Sequence, residues 1–275
     1  MKHTITTLLL CGFISFNANA QHKLTRMWAT DTILAVPESV LCDAQNNVLY
    51  VSLINGQSDV ADGRGGIAKL SVDGRIRDTN WCHGLNAPKG LAKFGNKLYA
   101  ADLTEVAVID VTTGRVTKKI PVEGAKFLND ITVDSKGVIY VSDTQTGKVY
   151  RIENGAITTY LENLKSPNGL LAVGNNLYVL ANGSLLSADN NKNLHTIAEG
   201  MDASTDGIEQ VKPGEFLVSC CVGIVYYVKA DGSKQQLLDT RADKFNSADI
   251  GYNPQTKTVF VPTFFKKGVV AYHLK

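Results

Sequence analysis

Five residues carry the chemistry that this sequence offers. Glu38, Lys89, Asn129, Asn168 and Asp206 stand 51, 40, 39 and 38 residues apart, and each opens a short run of strand-forming residues. A sixth equivalent position, 42 residues further on, holds Ala248. Two carboxylates and two amides form an oxygen-donor set of the kind that hard divalent cations take. One divalent cation is therefore expected, Ca²⁺ first, with Zn²⁺, Mn²⁺ and Mg²⁺ as further options. The same residues also suit strand caps that bond to channel water, because Asn-Gly and Asp-Gly are frequent in turns. Lys89 admits two roles. Its ammonium either binds a substrate oxyanion or carboxylate, or pairs with Glu38 or Asp206 and takes the place of the cation.

These positions belong to a repeat. "PESVLCDAQNNVLYVS" begins at Pro37, "PKGLAKFGNKLYAAD" at Pro88, "LNDITVDSKGVIYVSD" at Leu128 and "PNGLLAVGNNLYVLA" at Pro167. "TDGIEQVKPGEFLVSC" follows from Thr205 and "SADIGYNPQTKTVFVPT" from Ser247. Six copies at a period near forty residues indicate a repeat architecture. Each copy holds about four strands. In the third they are expected at 130–133, 138–142, 148–152 and 156–161, with Gly or Asn at the turns. No long amphipathic helix interrupts them. The expected fold is all-β, a six-bladed β-propeller with four antiparallel strands per blade. The sixth copy has only three strands, and the orphan segment "HKLTRMWATDTI" supplies the fourth. The last blade is thus closed by the N-terminal strand, which removes two exposed edges.

Strand direction alternates within a blade, so the connections entering the first strand and leaving the second lie on one face, the top. The turns at the bottom ("DAQNN", "KFGN", "DSKG", "VGNN", "KPGE", "NPQTK") share no chemical theme. The top gathers the five polar residues around the axis. Asp102, Asp143 and Asn182 end second strands, where they bond local backbone. Cys220 holds the matching place in the fifth copy as a buried thiol. The Gly-rich insertion "NGQSDVADGRGG", 55–66, is either a lid over the top face or a solvated loop. Phe127, Trp81, Phe264 and Phe265 lie in top connections, where they either wall an apolar pocket or pack blade against blade.

The motifs around the five residues resemble the family of senescence marker protein, gluconolactonase and luciferin-regenerating enzyme, over nearly all of 37–275. The resemblance implies a six-bladed propeller with one divalent cation at the channel mouth. Its ligands would be Glu38 of "PES", Asn129 of "LND", Asn168 of "PNG" and Asp206 of "TDG", with Asp206 also the general base in lactone hydrolysis. Lys89, Phe127 and Asp130 are placed among the substrate contacts. Phe127 stands two residues before Asn129, where members that hydrolyse sugar lactones carry an Arg. A substrate other than gluconolactone is therefore expected. The leading reading is a metal-dependent hydrolase of a lactone or related cyclic ester. The alternative is a non-catalytic propeller that binds a small molecule or a protein.

Composition narrows the remaining options. Residues 1–20 read as a secretory signal: Lys2, an apolar stretch from Ile5 to Phe16, and a small-residue cleavage site at Ala18-Asn19-Ala20. A single domain over 21–275, periplasmic or secreted, follows. No apolar run after Ala20 approaches the ~18 residues of a membrane span. The net charge is +2 with no Lys/Arg run, so nucleic acid is not an expected partner; a small molecule is. Neither G-x-S-x-G nor H-E-x-x-H occurs. Beyond the signal there are four cysteines, and the adjacent pair Cys220-Cys221 could join only in a strained ring.

Overall fold

The third repeat shows how a blade forms. Asp134 Oδ1 accepts the backbone N–H groups of Lys136 and Val138 at 2.8 and 2.9 Å. Gly137 follows at φ +84°, where a side chain would be strained. That turn sets the pairing of Ile131 with Val141, Thr132 with Tyr140 and Val133 with Ile139. The computed structural model describes residues 21–275, and the expected secretory signal at 1–20 lies outside the described residues.

Strand β1 (Leu24–Ala29) precedes blade 1, which comprises β2 (Pro37–Asp43), β3 (Val48–Leu53), β4 (Gly65–Leu70) and β5 (Ile76–Leu85). Blade 2 is β6 (Pro88–Phe94), β7 (Lys97–Asp102), β8 (Glu105–Asp110) and β9 (Val116–Pro121). Blade 3 is β10 (Leu128–Val133), β11 (Ile139–Asp143), β12 (Lys148–Glu153) and β13 (Ala156–Leu161). Blade 4 is β14 (Pro167–Val173), β15 (Asn176–Ala181), β16 (Ser184–Ala188) and β17 (Leu194–Ala198). Blade 5 is β18 (Thr205–Lys212), β19 (Glu215–Cys220), β20 (Ile224–Val228) and β21 (Lys234–Asp239). Blade 6 joins β22 (Gly251–Asn253), β23 (Thr258–Pro262) and β24 (Val269–Leu274) to β1 as its outer strand. Leu24 pairs with Leu274 and Ala29 with Val270, so the ring closes between the two ends of the described chain, as the repeat count requires.

Every sheet lies between two others, and the strand alternation serves both neighbours. In β3, Leu49 and Val51 pack toward blade 6 against Phe260 and Ala271. Val48 and Tyr50 pack toward blade 2 against Leu98 and Ile109. All six residues of β3 are consequently buried. Each junction between adjacent blades holds such a core, and most of the burial that stabilises the ring is of this kind. Among the described residues no helix is long and apolar enough to cross a membrane.

Candidate functional site

The innermost strands do not pair regularly from their first residue. In blades 1 to 5 the register breaks between Pro37 and Val40, Pro88 and Leu91, Leu128 and Ile131, Pro167 and Leu170, and Thr205 and Ile208. The two residues inside each break leave the ladder. Irregularities of this kind often stand beside functional sites, because they re-aim side chains. Here they release Glu38-Ser39, Lys89-Gly90, Asn129-Asp130, Asn168-Gly169 and Asp206-Gly207. Serines on the second strands replace lost backbone partners. Ser52, Ser142 and Ser219 accept the N–H groups of Ser39, Asp130 and Gly207 at 2.9, 3.0 and 2.8 Å. The polar pairs therefore open buried strands without orphaning these N–H groups.

The first residue of each pair faces the top. Glu38, Lys89, Asn129, Asn168 and Asp206 line one cavity of about 260 Å³ together with Ile54, Phe127, Phe264 and Cys221. Ala248, the sixth equivalent, is buried, and its carbonyl accepts the Ser219 hydroxyl. Asn168 Nδ2 donates to Asp206 Oδ1 at 2.9 Å. Asn129 Nδ2 donates to Thr144 Oγ1 at 3.0 Å, and that hydroxyl donates to the Pro167 carbonyl. Both amide nitrogens are thereby committed, leaving the two amide oxygens. Asn168 Oδ1 and Glu38 Oε2 are buried with no hydrogen-bond partner.

Electrostatics point the same way. Burial, then Asp206 and Asp249, hold the Glu38 carboxyl well above the usual carboxylate range, and Lys89 only partly offsets them. Burial and Asp249 push Asp206 up to about 8, against hydrogen bonds from Asn168 and Cys221. Two acids thus meet at one point with little local compensation for their charge. A divalent cation fits this set of two carboxylates and two amide oxygens, of which Glu38 Oε2 and Asn168 Oδ1 otherwise go unpaired. Among the described residues no three His, Cys, Asp or Glu side chains gather into a metal-ligating group, so a cation here needs the amides as well as the acids.

Lys89 lines the cavity without forming the ion pair expected as one of its two roles. Its Nζ donates to the carbonyls of Ser58 and Ala87, both at 3.0 Å, and lies 4.3 Å from the centre of the Phe127 ring. Among the described residues it forms no ion pair with Glu38 or Asp206. It instead ties the 54–64 connection, which carries Ser58, to the channel mouth. That connection stays above the site, and Asn55 Nδ2 braces its base on the Arg64 carbonyl at 2.9 Å.

Asp130, expected among the substrate contacts, does not line the mouth cavity. It follows Asn129 on the strand, so it turns away, and its oxygens accept N–H groups of Leu170 at 2.5 Å and Ile131 at 2.7 Å. It lines a second cavity lower on the axis, of about 200 Å³, together with Ser39, Glu209 and Asp249. Asp249 accepts the Ser39 hydroxyl and is pushed up to about 7 by burial. Burial and Asp249 push Glu209 up to about 8. The inner strands approach closely here. A Cβ on Gly90 would stand 2.1 Å from Asp130 Oδ1, and one on Gly207 would stand 2.4 Å from Asp249 Oδ1.

Sequence reasoning singled out Asp130 but missed its companions Ser39, Glu209 and Asp249, although Ser39, Asp130 and Asp249 at the second position of copies 1, 3 and 6, against Gly in the other three, were a readable signal. It also missed Cys221, whose thiol sits beside Asp206 and is pushed up by burial and by that carboxylate, the opposite of an activated nucleophile. Asp102 and Asp143 bond local backbone as expected. Cys220 is buried, and all four cysteines of the described residues are free. Trp81 lies in β5 against Tyr50 of its own blade and packs on the core between blades 1 and 2, whereas Phe127 and Phe264 wall the cavity.

By sequence, the chain matches no protein-family profile and no curated protein. Many solved chains share its architecture. One is streptogramin B lyase, which superposes with a TM-score of 0.65 over 93% of this chain and 98% of its own, at 10% identity. At that identity the likeness establishes the fold, a six-bladed β-propeller, and leaves function to the chemistry at the channel mouth.

Proposed function

We propose that the protein is a divalent-cation-dependent hydrolase of a lactone or related cyclic ester. The observation that carries this reading is the pair of buried, unpartnered oxygens, Glu38 Oε2 and Asn168 Oδ1, beside two carboxyls whose charge has little local compensation. Glu38, Asn129, Asn168 and Asp206 would hold the cation. When bound, a divalent cation supplies Lewis acidity that polarises a carbonyl and acidifies water. The rest is the work of the chain. Asp206 is held by Asn168 Nδ2 through Oδ1 and takes the proton of the attacking water. Thr144 fixes the Asn129 amide. Phe127, Ile54 and Phe264 exclude bulk water from one side of the cavity, which strengthens every polar interaction inside it.

The test is a lactone panel assayed with the purified protein, with and without Ca²⁺, with products weighed by mass spectrometry. Hydrolysis gives a hydroxy acid heavier than the lactone by one water. An elimination, which the lyase neighbour makes worth checking, gives a product of unchanged mass. Asp206→Asn should reduce turnover by about 10²-fold or more. Turnover that survives both chelator and Asp206→Asn would refute the assignment.

A further inference from the structure

We infer that the substrate of this site carries an alkyl chain, which leaves the cavity across an apolar arc of the rim. This rests on the hydrolytic reading above and names the substrate class for it. The first observation is the wall of the cavity. Ile54, Ala87 and Leu103 are buried together, with Val36 and Phe264 packed against them, in a cluster apart from the cores between blades. Ile54 and Phe264 of that cluster face the site beside Phe127. Lys89 offers this wall no free polar contact, since two of its N–H groups reach carbonyls and the ammonium lies over the Phe127 ring. The hydroxyls of a sugar lactone would meet three apolar side chains and go unpaired, which is costly for a desolvated polar group.

The second observation is independent of the wall. Large apolar side chains exposed singly are ordinary, but their concentration in one place is not. Ile33, Val60, Val222, Phe245 and Phe265 are all exposed, and all stand on top connections of blades 5, 6 and 1. Phe265 is 70% exposed. The other exposed large apolar residues among those described, Met27, Phe94 and Leu194, lie on strands. Three of the five adjoin the cavity wall. Phe265 meets Phe264 edge to face at 4.7 Å, Val222 follows Cys221, and Asn246 next to Phe245 donates to the Cys221 carbonyl at 2.8 Å. Acids and bases nearly balance in these connections, so a neutral chain suits the arc better than an anionic surface does.

The test uses γ-lactones bearing methyl, butyl and octyl chains, with gluconolactone as the hydroxylated comparison and Ca²⁺ present throughout. KM should fall by about threefold per added methylene while the chain remains on the arc. Phe265→Ser combined with Val222→Ser should flatten that slope, and Leu194→Ser on an outer strand should preserve it. Turnover with KM independent of chain length, or a preference for gluconolactone, overturns the inference and leaves the hydrolase reading standing. If no lactone is turned over, the hydrolase reading fails instead. Calorimetric binding of the same series then decides the chain: graded affinity supports it and uniform affinity overturns it.

Discussion

Ca²⁺ should stabilise this protein, and the gain should grow with pH. A ligand at 100 times its Kd adds about 2.7 kcal/mol to the folded state. For a domain of this size that corresponds to a rise in Tm of roughly 5–10 °C. The pH term comes from the acids at the mouth. Asp206 sits at about 8 and Glu38 is raised as well, so without a cation the folded state holds protons that the unfolded chain has released. The sign for the cation-free protein follows. Its stability from these groups is fully present below the ordinary carboxylate range and is lost as pH rises to about 8. Cation binding must expel those protons. Each pH unit below 8 therefore weakens it by about 1.4 kcal/mol for Asp206 alone, with Glu38 acting in the same direction. From about pH 8.5 down to about pH 6 the loss is of order 3 kcal/mol, enough to cancel the gain from a hundredfold excess. Thermal melts with Ca²⁺ or chelator at those two pH values read this directly. Asp206→Asn should shrink the gain and remove the Asp206 share of its pH dependence, leaving that of Glu38. An equal Tm shift at both pH values, or a full shift retained in Asp206→Asn, would refute the argument.

Further outcomes follow from other parts of the channel. Glu209, raised to about 8 by burial, destabilises the fold as pH climbs from the carboxylate range to that value. Glu209→Gln keeps the acceptor for Tyr252 N–H, so it should raise Tm near pH 8 and reduce the pH slope; an unchanged slope counts against the assignment. Lys89→Met strips the Ser58 and Ala87 carbonyls of their donor, a cost of about 1–3 kcal/mol. Trypsin should then cut faster at Arg64 in the released connection while the Ca²⁺ shift persists, and an unaltered cutting rate would argue that Lys89 does not hold the loop. Deleting residues 21–29 removes β1 and bares the edge of β24, so the cooperative melt should be lost or displaced by more than about 5 °C. A melt within a couple of degrees of the parent would show that closure adds little.

The ring was legible because its unit repeats. Six copies of one phrase gave the blade count, and the strands expected in the third copy fall within about two residues of β10 to β13. The five mouth residues were legible for the same reason, since a position shared by all copies must share a radius and a height. Direction was not legible. Asn129 and Asp130 are neighbours, and only the register break beneath them decides that one faces the mouth and the other faces the lower channel. The partners of Lys89 depend on Ser58, a residue of an insertion that no other copy contains. Cys221 follows Asp206 by only 15 residues, but its place beside that carboxyl appears only once the β18–β19 hairpin folds back on itself. The serines of "LYVS", "IYVS" and "FLVS" were in plain view, but their task appears only once the backbone they serve is known to be unpaired.

The junction of β1 with β24 also governs how the chain reaches this shape. Leu24 and Leu274 are hydrogen-bonding neighbours separated by nearly the whole described sequence. Every other strand pair joins segments close together in the chain, so five blades can assemble locally while the sixth waits. Contacts of such long separation form slowly, because loop-closure entropy is lost before any burial offsets it. The slow species on the folding path is then an open arc with the edge of β24 unsatisfied and the apolar faces of blades 1 and 6 uncovered. That arc is where association between chains competes with folding. A refolding yield that falls as protein concentration rises would be a property of this one seam rather than of the blades.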